Sequence, residues 1–407
     1  MILLVTIGSG SLDVYSQKLC ESNDVPAIWS DIYQRCLKCR NLSWWSPETA
    51  RIMWHDWCFV RKLNSLGDII HFPSQHFGRY SRLLKVPFII TVHDLIRYFD
   101  LSQDMVFIHP PNSRDSFYLN LDYKGLSKAD RIIAISQSTR TDLMYYLNIP
   151  EEQIRVIYQG VNHKLFHPAP DRLYDFPYVL FVSSEHPRKN LPGVLQAFSL
   201  LKKDPAFRDL KLVKVGESGG TEADYREKTE GAIEKLGLTR EVIITGIVPE
   251  KDLPVYYSGA AAFVLPSFYE GFGLTPLEAM ACGCPVITSN TSSLPEVVGD
   301  VGIMVAPDDT AGLAAAMKRV LTDNELRNGM IGKGLARAEE FSWEKTARQT
   351  QEVYNEVADE RRYRNKEERR EKRLKKKRER VPKHGRGLAR MYMDAIMKRL
   401  KRHTVDK

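Results

Sequence analysis

The chain has 407 residues, 43% of them hydrophobic and 27% charged, enough for more than one folded core and a tail. No apolar run nears the roughly 18 residues of a membrane-crossing helix, and Met1-Ile2-Leu3-Leu4-Val5-Thr6-Ile7 lacks the basic flank of a secretory leader and reads as a first strand. The net charge of +8 is uneven: residues 361–407 hold 21 Lys+Arg against 6 Asp+Glu, leaving 38 against 45 before them. A mildly acidic body therefore carries a basic extension, which is an appended electrostatic device and not a nucleic-acid-binding fold.

After the first strand comes Gly8-Ser9-Gly10-Ser11 and a helix-like stretch to about Glu21. A dinucleotide fingerprint needs a third glycine where Asp13 stands, so Asp31, beyond Ala27-Ile28-Trp29, is no strong sign of a nicotinamide site. Cys36 and Cys39 form a CxxC, but Cys20 and Cys58 stand at long, unequal spacings. With Cys282 and Cys284 they read as reduced thiols of a cytoplasmic protein, not as zinc ligands. Residues 48–66 read as a helix with Ile52, Trp57, Val60 and Leu63 along one face. Asp68–Pro73 and Val86–Val92 read as strands, the second leading into His93-Asp94-Leu95. Ligands sit at the carboxyl ends of such strands, which makes His93 a candidate site residue. Residues 102–124 show no clear period and are expected to form a long functional loop around Pro110-Pro111-Asn112. A strand at 130–136, a helix opening at Ser138 and a strand at 154–158 follow, ending in Gln159-Gly160-Val161-Asn162.

Pro168-Ala169-Pro170 marks a linker, after which strands are expected at 178–182, 210–215, 242–245, 261–265, 285–288 and 303–305. Strands alternating with helices make parallel sheets covered on both faces. The expected class is α/β: two doubly wound, Rossmann-like domains, 1–168 and 169–340, facing across a cleft. A helix at 341–360 and a basic tail at 361–407 complete the chain.

The chemistry concentrates in Pro266–Glu296. An apolar strand is followed by Glu270-Gly271-Phe272-Gly273-Leu274, and then by a helix start with Thr275 as N-cap, Pro276 first in the helix and Glu278 three residues after the cap. Strand, glycine loop and helix N-terminus in that order offer free amides and partial positive charge to an anion. Glu270 and Glu278, with seven residues between them, stand on either side. Arg188 and Lys189 follow the strand at 178–182, where a helix should begin. Two cations there oppose the helix dipole, and a diphosphate would supply the reason.

This string, with Ala279-Met280-Ala281-Cys282-Gly283-Cys284-Pro285-Val286 behind it, resembles the retaining GT-B glycosyltransferases of family 4, which include many mannosyl- and glucosyltransferases. The family's E-x7-E element falls on Glu270 and Glu278, its R-K pair on Arg188 and Lys189, and its HD element on His93-Asp94. Gln159 and Asn162 depart from the family's usual Asn-Gly-Val-Asp. The resemblance implies transfer of a hexose, with retention, from a nucleoside diphosphate sugar such as GDP-mannose or a UDP-sugar to a glycan or lipid-linked acceptor. His93 would position the sugar. Glu270 and the amides of Gly271, Phe272 and Gly273 would hold its hydroxyls, and Glu278 the ribose diol. The helix start at Leu274 and Thr275, with Arg188 and Lys189, would hold the diphosphate. Attack on the face the diphosphate leaves lets the leaving oxygen take the acceptor's proton, so no dedicated base is required. The last helix would cross back to the first domain.

No two aspartates stand two apart, so the D-x-D metal element is missing, and no metal or other cofactor is expected. An epimerase or sugar phosphorylase on the same plan, or a non-catalytic protein acting through its tail, remain alternatives. In the tail, Leu388, Met391, Tyr392, Ala395, Ile396 and Leu400 fall at helical spacing behind a polybasic run. This fits an anionic membrane surface, and a peripheral position at the inner face of a membrane, better than nucleic acid.

Overall fold

The computed structural model describes residues 2–6, 15–19, 21, 27–29, 47–66, 69–102, 106–219, 223–379 and 391. Gly8–Asp13, Asp31, Cys20, Cys36, Cys39 and, apart from Met391, the apolar series of the tail lie outside them. Strands β1 (Ile2–Thr6), β2 (Ala27–Trp29), β3 (Ile69–Phe72), β4 (Phe88–Val92), β5 (Arg131–Ala134) and β6 (Ile154–Val156) form a parallel sheet in the order β2-β1-β3-β4-β5-β6. Strands β7 (Tyr178–Val182), β8 (Lys211–Val215), β9 (Val242–Gly246), β10 (Ala262–Leu265), β11 (Val286–Ser289) and β12 (Ile303–Val305) form a second, in the order β12-β11-β10-β7-β8-β9. Strands such as FIITV and YVLFV are buried along their whole length, as continuous apolar runs covered on both faces must be. The two-domain, doubly wound expectation holds. Strand order reverses between β1 and β3 in one sheet and between β7 and β10 in the other, and ligand crevices open at such points.

The first domain carries α1 (Pro47–Leu66), α2 (Ile96–Ser102), α3 (Ser113–Leu126) and α4 (Gln137–Leu147). The helix expected at 48–66 forms, and the loop expected at 102–124 does not. Phe59, Val60 and Leu63 of α1 are buried, but Trp57 is 40% exposed and Met53 and Trp54 are more so, so α1 is apolar on its outer face as well. The expected loop at 102–124 is largely helix α3, opened by Asn112, whose side chain accepts from the Asp115 amide at 2.9 Å. This helix packs through the apolar residues Leu119, Tyr123 and Leu126 and, beside them, through a close glycine contact. A Cβ on Gly125 would lie 1.9 Å from the Gly78 carbonyl oxygen, and one on Gly78 would lie 2.0 Å from that of Asp122. The facing residue Asp122 is itself buried, accepting from the Arg79 amide and pairing with its guanidinium at 3.4 Å. Leu119, Tyr123 and Leu126 stand at helical spacing, a short apolar period interrupted by the buried Asp122 and Gly125.

The second domain carries α5 (Leu191–Leu201), α6 (Ala223–Lys235), α7 (Leu253–Gly259), α8 (Leu274–Ala281), α9 (Leu294–Val298), α10 (Thr310–Thr322) and α11 (Asn324–Ala338). The last helix, α12 (Trp343–Glu379), runs without a break through position 360. Both sheets belong to one compact unit, Met1–Tyr354, and a second begins at Asn355. The start of α12 returns to the first sheet. Trp343 and Ala347 pack with Tyr15 and Leu19. The Tyr354 hydroxyl meets His71 Nδ1 at 2.7 Å, and the other ring nitrogen meets Thr91 Oγ1 at 2.8 Å. Thr91 also bonds the Tyr15 hydroxyl, and all these groups are buried. No helix among the described residues is long and apolar enough to cross a membrane.

Candidate active site

The loops after β7 and β10, on either side of the second sheet's reversal point, meet in one ionic cluster. Arg188 and Lys189 lie in a 3-10 turn, Pro187–Lys189, closed by Asn190 in the left-handed conformation (φ 58°). Asn190 then caps α5, accepting from the Gly193 amide, while its own amide holds the carbonyls of Pro266 and Pro307. The two cations thus precede the helix cap and lie outside the first turn of α5. Both reach Glu270: Lys189 Nζ donates at 2.6 and 2.9 Å, and Arg188 Nη1 at 3.0 Å. The Ser267 hydroxyl adds a bond at 2.7 Å. Burial works against ionisation of Glu270, but Lys189 and Arg188 outweigh it and bring its pKa down to about 2. At neutral pH Glu270 is therefore an acceptor only. Burial draws Lys189 down to about 8, against the pull of Glu270. Burial likewise raises the carboxyl of neighbouring Asp94. Two cations facing one firmly ionised carboxylate leave a positive excess for an anion.

The glycine loop is held from behind. Ser292, at φ 56°, accepts from the Glu270 amide and donates to its carbonyl, and Ser293 donates to the carbonyls of Glu270 and Phe272. Gly273 has a φ of 122°, a region open to glycine. It, and not Thr275, is the N-cap of α8, and having no side chain it leaves that end without a side-chain cap. Thr275 and Pro276 fall inside the first turn, and Glu278 lies beyond capping range. The expected capping box does not form, because a glycine with positive φ starts the helix earlier. The amides of Leu274 and Thr275 keep their partial positive charge, and Pro276 has no amide to satisfy. Phe272 is buried among Tyr158 and Phe341, so only its backbone lines the loop. Glu278 accepts instead from the Tyr257 hydroxyl at 2.8 Å, and burial pushes its carboxyl up to about 8.

His93 stands at the end of β4 against the same loop. Its Nε2–H donates to the Pro73 carbonyl at 2.7 Å, which makes Nδ1 the acceptor, facing the Gln159 amide at 3.3 Å. Burial lowers its pKa to about 4, so the ring is neutral and both nitrogens are engaged. That suits positioning and not proton transfer. Gln159, a departure from the family pattern, is thus the partner of His93. Gln75 clamps the turn, accepting from the His93 amide and donating to the Asp94 carbonyl. A Cβ on Gly271 would come within 2.1 Å of the His93 carbonyl oxygen, so the two domains touch here backbone to backbone. Ser267, Ser292, Ser293 and Tyr257 escaped sequence reasoning. Ser267 had a local signal, three residues before Glu270, but Tyr257 had none.

Two family models match adjoining stretches of the chain: Glycosyltransferase Family 4 over residues 34–165 and Glycosyl transferases group 1 over 166–337. The chain is 34% identical over 255 residues to O-antigen chain mannosyltransferase B of Escherichia coli, covering 60% of this chain and 65% of that one. It is 32% identical over 266 residues to the serotype-specific mannosyltransferase WbdA of Escherichia coli, covering 63% of this chain but only 32% of that longer protein. Among solved structures, sucrose-phosphate synthase from Thermosynechococcus elongatus superposes with a TM-score of 0.70 at 23% identity, over 88% of this chain and 99% of that one. Anabaena HepE in complex with UDP and glucose does so with 0.70 at 19%, over 87% and 99%. The chain belongs to the GT-B glycosyltransferases of family 4.

Proposed function

We propose that the protein transfers a hexose from a nucleoside diphosphate sugar to a glycan or lipid-linked acceptor, with retention of configuration. The observation that carries this reading is the Arg188–Lys189–Glu270 cluster beside the uncapped start of α8. A diphosphate laid there meets two cations and free amides, which stabilise the charge that develops as the sugar leaves. A sugar on the His93 side meets Glu270 as hydroxyl acceptor, and Glu278 takes the ribose diol. These fixed charges do the work of a divalent ion, so turnover should survive a chelator. The relatives named as mannosyltransferases put mannose first among donors. A screen of GDP-mannose and UDP-sugars for thermal stabilisation and then for transfer, with NMR of the product anomer, tests the reading. An inverted product, or strict dependence on Mg²⁺ or Mn²⁺, contradicts it.

The pH profile follows from two groups. Ribose hydroxyls donate to an ionised Glu278, so donor capture improves as pH rises through about 8. A diphosphate needs protonated Lys189, so capture fails as pH climbs past about 8. The expected kcat/KM is bell-shaped around that value. Lys189→Arg should remove the alkaline limb, because guanidinium stays charged, and Glu278→Gln should remove the acid limb while weakening nucleotide binding throughout. A profile that neither variant alters contradicts both assignments.

We place the acceptor at an anionic membrane surface. Residues 362–376 of α12 are all exposed and mostly basic. The outer face of α1 independently presents Met53, Trp54 and Trp57, with the Arg61 guanidinium 4.8 Å from the Trp57 ring, the mixture of aromatic and cation that interfacial helices use. Deleting 361–407 is expected to leave nucleotide binding intact and abolish salt-sensitive sedimentation with phosphatidylglycerol vesicles. Equal sedimentation of the truncated protein would rule the tail out as an anchor.

A further inference from the structure

Helix α4 of the first domain begins with its cap completed by the second domain. Ser136 accepts from the Thr139 amide at 3.0 Å, as an N-cap serine should. The amides of Gln137 and Ser138, left without intrahelical partners, donate to Glu296, one to each carboxylate oxygen, at 2.6 and 2.7 Å. Glu296 lies 158 residues on, in α9. That short helix is fixed at both ends. Ser292 and Ser293 tie its start to the backbone of Glu270 and Phe272, and Arg337 donates to the carbonyls of Glu296 and Val297 at its end. The next positions of α4 also face the donor loop: Thr139 Oγ1 reaches the Gly271 carbonyl at 3.5 Å, and Asp142 accepts from the Tyr269 hydroxyl at 2.6 Å.

We propose that Glu296 is the latch of the interdomain cleft, a positioning residue that caps α4 from across the cleft and thereby sets the distance between the donor loop and His93. Ligand identity does not enter this argument. It rests on the transferase reading only in predicting that turnover needs the latched arrangement. The strength of the latch comes from the charge of a carboxylate at the positive end of a helix whose N1 and N2 amides have no other acceptor among the described residues.

Two variants break the same bond from opposite sides. Glu296→Ala removes the acceptor. Gln137→Pro removes one donor and leaves α4 intact, because proline is well tolerated at the first helical position and Ser136 before it is already extended (φ −155°, ψ 162°). In the full-length protein, dyes on non-natural residues at the exposed positions 145 and 200 would report interdomain distance by single-molecule energy transfer. Each variant is expected to add a longer-distance population and to lower kcat about tenfold, a capping-sized effect. UDP or GDP affinity should change less than about twofold, because the nucleotide groups lie in the second domain. The double variant should lose no more than the worse single one. An unchanged distance distribution in Glu296→Ala, or single losses that multiply in the double variant, would overturn the latch. Absence of any transferase activity would sink the proposed function and still leave the distance measurement to decide the latch.

Discussion

Lys189→Ala is expected to lower kcat by two to three orders of magnitude, about 2.7–4 kcal/mol, the usual cost of losing one preorganised charge-stabilising donor. The structure adds a second effect. Lys189 is the closest partner of Glu270, whose carboxylate is 9% exposed, and its removal leaves Arg188 as the one cation in contact. Breaking a buried ion pair outright costs about 3–5 kcal/mol of stability; Glu270 keeps Arg188 and Ser267, so Lys189→Ala should cost less than that. The double variant Lys189→Ala/Glu270→Gln tests the first effect. Its melting temperature should not recover, since Arg188 then loses its carboxylate partner, and kcat should stay at or below the level of the single variant. If turnover recovers in the double variant, the electrostatic role of Lys189 is wrong. Glu270→Gln alone should cost turnover and sugar discrimination more than nucleotide affinity.

Gly271→Ala is expected to cost activity far more than stability. The added methyl meets the His93 carbonyl at 2.1 Å and Asp94 Cβ at 3.1 Å, both in the opposite domain. Parting the domains relieves the clash while each keeps its own core. Gly125→Ala is the contrast. Its methyl would lie 1.9 Å from the Gly78 carbonyl within one domain, where nothing can part, and overpacking of that kind costs about 1–3 kcal/mol or more. Calorimetry beside steady-state rates decides: Gly271→Ala should melt within a few degrees of the parent with kcat down by at least tenfold, and Gly125→Ala should melt clearly lower. The reverse order would mean the Gly271 contact lies in a core and not at a seam that can open.

The strands and their alternation with helices were legible because buried parallel strands read as apolar blocks, and each of the six expected in the second domain lies within a residue or so of its place. Helix α3 was not, although Leu119, Tyr123 and Leu126 keep helical spacing, because Pro110-Pro111 before it and the buried Asp122 and Gly125 within it break up a short pattern. The exposure of Trp57 was not, because at 3.6 residues per turn it lies about 120° round the helix from Leu63, at the edge of the face that Val60 and Leu63 bury. At the site, residue types pointed to Glu270, Glu278, Arg188 and Lys189 singly. That Glu270 binds both cations, 81 and 82 residues away, is a fact of topology that no local spacing carries. The helix start was misplaced for a related reason: Thr-Pro-x-Glu has the pattern of a capping box, but the backbone angle of Gly273 decides where the helix begins.

The return of α12 to the first sheet has a consequence in time. His71 sits fully buried in β3, and one of its two ring partners is Tyr354, 283 residues further along the chain. A ribosome that has delivered the whole first sheet must add nearly two hundred residues before Trp343 and Tyr354 arrive, roughly 10–40 s at ordinary elongation speeds. Throughout that interval the nascent first domain holds a histidine without its tyrosine and an unclosed apolar patch at Tyr15 and Leu19. The domain that is made first is completed last, and a chain stopped before residue 343 leaves the ribosome with that patch bare for chaperones or for its neighbours.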